Sequence, residues 1–297
     1  MIYLVKVYFL PYQIKRMKKF ILETSDKYPI AITSFGENNA TKKIIVISSA
    51  IGVKQTFYAK YATYLANKGY LVFTYDYRGI GDSKPKKLKD FKAHFTDWAD
   101  KDFLSLTQYI EEFYPNHEKF LIGHSIGGIM IGLTRAYKVY DKIVTIGSQY
   151  GYIKNFHQKD KTKVNFFFRI AIPVLSAFYG FFPSQKVGMG EPIPIGIAKD
   201  WRKLILNETS ILGYADETQN LYDEITKPVL IISLDDDFMA TPKSVDLFGK
   251  LVLKNAKKKR LNIVPKEYGL DEIGHLDFFR EKNKTEIWHI PLDYIEQ

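Results

Sequence analysis

The chain has 297 residues, 46% hydrophobic and 26% charged, with no cysteine and a formal charge of +10 from 43 Lys and Arg against 33 Asp and Glu. This balance excludes disordered, collagen-like and coiled-coil chains, and the absence of thiols excludes disulfides, a cysteine nucleophile and cysteine-ligated metal. The length allows one large core, and the patterns below read as one domain with an insert.

Met1 to Phe20 runs from apolar to basic, the reverse of a secretory signal peptide, so residues 1–16 are read as an N-terminal extension before the strand-like phrase Phe20-Ile21-Leu22-Glu23-Thr24. A cytoplasmic location suits a chain without cysteine. Ile44–Ser48, Leu71–Tyr75, Phe120–Ile122, Lys142–Ile146, Val229–Ser233 and Arg260–Val264 read as buried strands. Between them Thr56–Asn67 and Phe95–Phe113 carry apolar residues at helical spacing, stopped by Gly69 and Pro115. The alternation predicts an α/β fold with a mostly parallel central sheet flanked by helices. It lapses from 150 to 226, where aromatic, Gly and Pro residues crowd, which predicts a helical cap insert between core segments 17–149 and 227–297.

Within that insert Val164 to Pro183 is apolar, but Asn165, Arg169 and Pro173 interrupt it, so it is read as a buried or lipid-facing cap helix with peripheral membrane contact rather than a span. The lysine-rich runs Lys84–Lys89 and Lys254–Arg260 carry no nucleic-acid motif; they read as solvated surface, and no nucleic-acid partner is expected. The sequence assigns no oligomeric state.

The most informative phrase is Phe120-Leu121-Ile122-Gly123-His124-Ser125-Ile126-Gly127-Gly128, a strand leading into Gly-x-Ser-x-Gly and then a helical run, Ile129–Tyr137. Small residues around Ser125 permit a strained strand-to-helix turn that lifts its hydroxyl out of the sheet, which makes Ser125 the candidate nucleophile. A serine needs a base, and the base needs an acid to set its tautomer. Asp235-Asp236-Asp237 follows the strand Val229–Ser233, and His275 lies after the last strand behind Gly274; these are the candidate acid and base. His124, inside the elbow, is expected to pack beside it. For an oxyanion the N–H groups of Ile126 and of Ile51, with Ala50 the alternative to Ile51, are the candidate donors.

Five separated phrases together resemble a bacterial group of α/β hydrolases related to monoacylglycerol lipases and serine aminopeptidases. They are Ala50-Ile51-Gly52-Val53, the stretch Thr74 to Ser83, the elbow, Asp236-Asp237, and Ile273-Gly274-His275 with Phe278-Phe279-Arg280. The resemblance implies an eight-stranded hydrolase sheet with a cap, the chain order Ser, acid, His, no metal and no diffusible cofactor. It favours Asp237 as the acid because Thr241 stands four residues on, where many relatives are proline-like; Asp236 stays the alternative. The expected activity is a serine esterase or lipase-like hydrolase acting on a small-molecule ester or lipid-like substrate. A peptidase, amidase or acyltransferase with the same triad stays open, as does a non-catalytic membrane-associated binding protein on the same fold.

Overall fold

The computed structural model describes residues 7–14, 17–37 and 41–297. Among these residues nine strands form one sheet in the order β1-β2-β3-β5-β4-β6-β7-β10-β11. Its ranges are β1 (Val7–Ile14), β2 (Met17–Glu23), β3 (Pro29–Phe35), β4 (Lys43–Ser48), β5 (Leu71–Tyr75), β6 (Glu118–His124), β7 (Lys142–Ile146), β10 (Pro228–Leu234) and β11 (Lys257–Ile263), while β8 (Phe181–Phe182) and β9 (Ile193–Pro194) pair separately. From β5 to β11 every neighbouring pair is parallel; β1, β2 and β3 run antiparallel at the other side. The eight strands implied by the resemblance are therefore joined by a ninth, because residues 7–14 of the N-terminal extension pair along β2.

Side-chain alternation explains the layering. Ile44 and Val46 of β4 enter one buried cluster with Phe73, Leu121 and Ile143, while Ile45 and Ile47 enter the other with Val72, Phe120 and Val144. A sheet buried on both faces needs continuous apolar strands, which is why these runs were legible in sequence. β1, inside the N-terminal extension, and β3 were not legible. β11 matches the expected strand Arg260–Val264 but begins earlier, at Lys257, within a lysine run read as surface; its first residues are exposed, as befits charges on a sheet edge.

Helix α1 (Ala59–Asn67) follows a 3-10 turn and ends at Gly69, and α2 (Leu104–Phe113) continues a π-helical stretch, Trp98–Phe103. The expected helix Ile129–Tyr137 does not form. After the elbow α3 spans only Ile126–Ile129, then gives way to 3-10 turns at Met130–Leu133 and Arg135–Val139 with an extended Thr134 between them. The physical reason is tertiary. Tyr222 lies against Gly132, where a Cβ would sit 2.2 Å from its ring, and its hydroxyl donates to the Ile129 carbonyl (2.6 Å) that a continuing helix would use.

Between β7 and β10 the chain forms α4 (Lys161–Phe166), a π-helical turn (Phe167–Ala171), α5 (Ile172–Tyr179), α6 (Ile195–Leu206) and α7 (Ser210–Asp216). Among the described residues no helix is long and apolar enough to cross a membrane. The chain ends of β4, β6, β7 and β10 and the loop beyond β11 converge at one edge of the sheet, where functional loops of parallel sheets gather.

Candidate active site

β6 delivers Ser125 with φ +52° and ψ −119°, a backbone conformation that costs a non-glycine residue about 1–3 kcal/mol unless its surroundings enforce it. Here they do. The Ser125 N–H donates to the Ile146 carbonyl (2.8 Å), and the Ser125 carbonyl accepts from the Gly128 and Ile129 N–H groups (both 3.0 Å) and from Ser148 Oγ (2.8 Å). Glycine is required on both sides of the turn, because a Cβ on Gly123 would lie 2.5 Å from Gly128 Cα and one on Gly127 2.2 Å from the Ser48 carbonyl oxygen.

The loop after β10 divides its carboxylates by partner. Asp237 is fully buried, with Oδ2 2.6 Å from His275 Nδ1 and Oδ1 accepting from the N–H groups of Met239 (2.8 Å) and Ala240 (2.9 Å). Burial pushes its carboxyl up, but the His275 ring and these hydrogen bonds outweigh burial and hold it below the usual carboxylate range. Asp236 instead accepts from the N–H groups of Ile273 (2.8 Å) and Gly274 (3.0 Å), anchoring the loop that carries His275. Of the two acids left open by the sequence, Asp237 is the one that meets the imidazole.

His124, buried within the elbow, joins two loops. Its Nε2 donates to the His275 carbonyl (2.8 Å), so its Nδ1 is the acceptor for the Tyr58 hydroxyl (2.8 Å), which in turn accepts from the Ala50 N–H (2.9 Å). Burial, reinforced by the neighbouring His275, depresses the His124 pKa to about 3, so this ring stays neutral and its tautomer is fixed. The chain of bonds engages the Ala50 N–H, whereas the Ile51 N–H has no partner in the protein among the described residues.

Ser125, His275, Ile51 and Ile126 share the wall of one cavity of 510 Å³. Ile129, Ile193, Trp201, Leu204, Ile205 and Met239 are among its apolar lining residues. Gln149, just past β7, reaches the same cavity, and its buried Oε1 has no partner among the described residues. Among the described residues no group of three or more His, Asp or Glu side chains is placed to hold a metal ion. Chemically, the arrangement offers a hydroxyl in a strained turn, an imidazole oriented by a buried carboxylate, and an apolar chamber that limits water.

Comparison with known proteins bears on the fold. The family described as serine aminopeptidase, S33 matches residues 39–180, and a search of curated proteins finds no match. A soluble variant of monoglyceride lipase from Saccharomyces cerevisiae is similar with a TM-score of 0.64 at 15% identity, over 97% of this chain and 96% of that one. A carboxyl esterase from Bacillus coagulans gives 0.61 at 13% identity (95% and 99% covered), and epoxide hydrolase VrEH1 from Vigna radiata gives 0.57 at 14% identity (96% and 99%). The chain has the α/β-hydrolase fold. Within an α/β-hydrolase fold the end of β6, the loop after β10 and the loop after β11 are where the sequence reading put its candidate nucleophile, acid and base.

The structure brings Ser125, Ile126, Ile51 and His275 to the α/β-hydrolase cavity, with Asp237 behind His275 and Asp236 beside it. Two residues at this site escaped the sequence reading. Tyr58 was legible only as one apolar position of a helix, and nothing in its spacing marks a hydroxyl that bonds to His124. Gln149 stands in no motif; only its position a few residues beyond a central strand could have drawn notice.

Proposed function

We propose that the chain is a serine hydrolase acting through Ser125, Asp237 and His275 and an acyl-enzyme, on carboxylic esters with an apolar acyl or alkyl group. The observation that carries this reading is the buried Asp237 carboxylate 2.6 Å from His275 Nδ1, at a cavity shared with the strained Ser125. With Nδ1 bound to Asp237, His275 keeps Nε2 as the base. Nε2 takes the Ser125 proton as Oγ attacks the ester carbonyl, then returns it to the departing alcohol. Water activated by the same nitrogen releases the acid. The Ile126 and Ile51 N–H groups hold the oxyanion, each worth about 3–4 kcal/mol in the transition state.

The lipase and esterase among the fold neighbours support the ester class, and the apolar lining supports a hydrocarbon chain. Residues 150–226 act as the cap over this chamber. The match to a family described as serine aminopeptidase favours a second reading in which the same three residues cleave an amide. Paired ester and amide substrates with one acyl group separate the two.

The first test is labelling by a fluorophosphonate probe. Wild type is expected to label, and Ser125→Ala and His275→Ala are not. A folded wild type that stays unlabelled overturns the hydrolase and leaves a binding protein on this fold.

A further inference from the structure

The helical segment 161–179 presents an apolar row to solvent. Phe166 is 63% exposed, Ile170 50%, Val174 60% and Phe178 79%, while Val164, Phe168, Ile172 and Ser176 are buried against the protein. A four-residue spacing drifts by about 40° per step around a pure α-helix. The π-helical turn Phe167–Ala171 takes up about one extra residue, which returns Phe178 to within about 20° of Phe166. The turn thus makes the exposed row straight.

The charge around this row is mostly positive. Residues 161–179 include no Asp or Glu, and Lys163 and Arg169 are exposed on the helix itself. At its far end Lys186 lies 4.5 Å over the Tyr179 ring, and Gly180 packs on Lys89 and accepts from the Asp90 N–H (3.0 Å). That contact brings the run Lys84 to Lys92, with Lys86, Lys87, Lys89 and Lys92 exposed and Asp90 its one acid, beside the apolar row. The chain then passes through exposed Val187 to Met189 on the cavity wall.

An exposed apolar row rimmed by lysine and arginine has the chemistry of a helix that lies in a lipid interface, its apolar side chains among acyl chains and its cations among phosphates. We propose that the face built on Phe166, Ile170, Val174 and Phe178 docks on an anionic phospholipid bilayer. This places the segment leading to the cavity at the lipid surface. The proposal does not depend on the catalytic reading.

Sedimentation with vesicles tests it. Wild type is expected to pellet with vesicles of mixed phosphatidylcholine and phosphatidylglycerol, and about tenfold less with phosphatidylcholine alone. The double variant Val174→Ser/Phe178→Ser should lose about tenfold on the anionic vesicles with an unchanged melting temperature, since both side chains are exposed. Lys163→Glu/Arg169→Glu should weaken binding and flatten its salt dependence. Ser125→Ala should sediment like wild type, so loss of the catalytic reading leaves this result intact. Equal pelleting by wild type and the Ser variant overturns the proposal. So does a wild-type dimer that the Ser variant converts to monomer while neither binds vesicles, which makes the row a self-association face.

Discussion

Asp236 and Asp237 are adjacent and chemically identical, yet the backbone sends one to the N–H groups of Ile273 and Gly274 and the other to the imidazole. Their substitutions should therefore differ in kind. Asp237→Asn is expected to lower kcat by about 10⁴ with little change in KM, because the amide favours the wrong histidine tautomer. Asp236→Ala loosens a loop and should stay within about tenfold of wild type. Steady-state kinetics of the two variants checks this, and equal losses would reject the assignment of roles. The lowered Asp237 pKa also has a sign. The unfolded carboxyl binds protons more readily than the folded one, so its contribution is present above the ordinary value of about 4 and is lost as pH falls through the lower folded value. The stability difference between wild type and Asp237→Asn should accordingly shrink on acidification below about pH 4, read from thermal melts across that range.

At the scale of elements, the broken helix after the elbow shows propensity yielding to packing. Ile129 to Tyr137 has helical spacing, but Tyr222 occupies the place a Gly132 side chain would need and binds the Ile129 carbonyl. Gly132→Ala, which would favour helix in an isolated peptide, should instead destabilise the protein by about 1–3 kcal/mol through overpacking. Urea unfolding measures this; a stabilised variant would contradict the packing account. The lysines of β11 make the same point in another form, because the edge strand extends back from the apolar run at Arg260 to Lys257 and carries exposed charge there.

At the scale of the whole molecule, the cavity belongs to neither the sheet nor the insert alone. Loops after β4, β6, β10 and β11 line it together with Ile193, Trp201, Leu204 and Ile205. Enlarging one of these apolar residues should change which substrates fit while leaving the reacting groups untouched. Leu204→Trp is expected to lower kcat/KM for long-chain p-nitrophenyl esters by about tenfold or more relative to the acetate. A uniform fall across chain lengths would place the effect elsewhere.

The sequence by itself determined the parallel core, the elbow at Ser125 and the position of His275. These depend on local rules: apolar runs that a doubly covered sheet demands, and small residues that a strained turn requires. Only the tertiary structure set Asp237 rather than Asp236 against the His275 ring, ended the helix after Ile129, joined Tyr58 to His124 and added β1 to the sheet. Each of these depends on groups far apart in the chain that meet in space, as Asp237 meets His275 across 38 positions. A π-helical turn likewise made a straight face of Phe166, Ile170, Val174 and Phe178. A pattern of hydrophobic residues records that they are apolar; which of them the fold leaves in water is settled by what the rest of the chain covers.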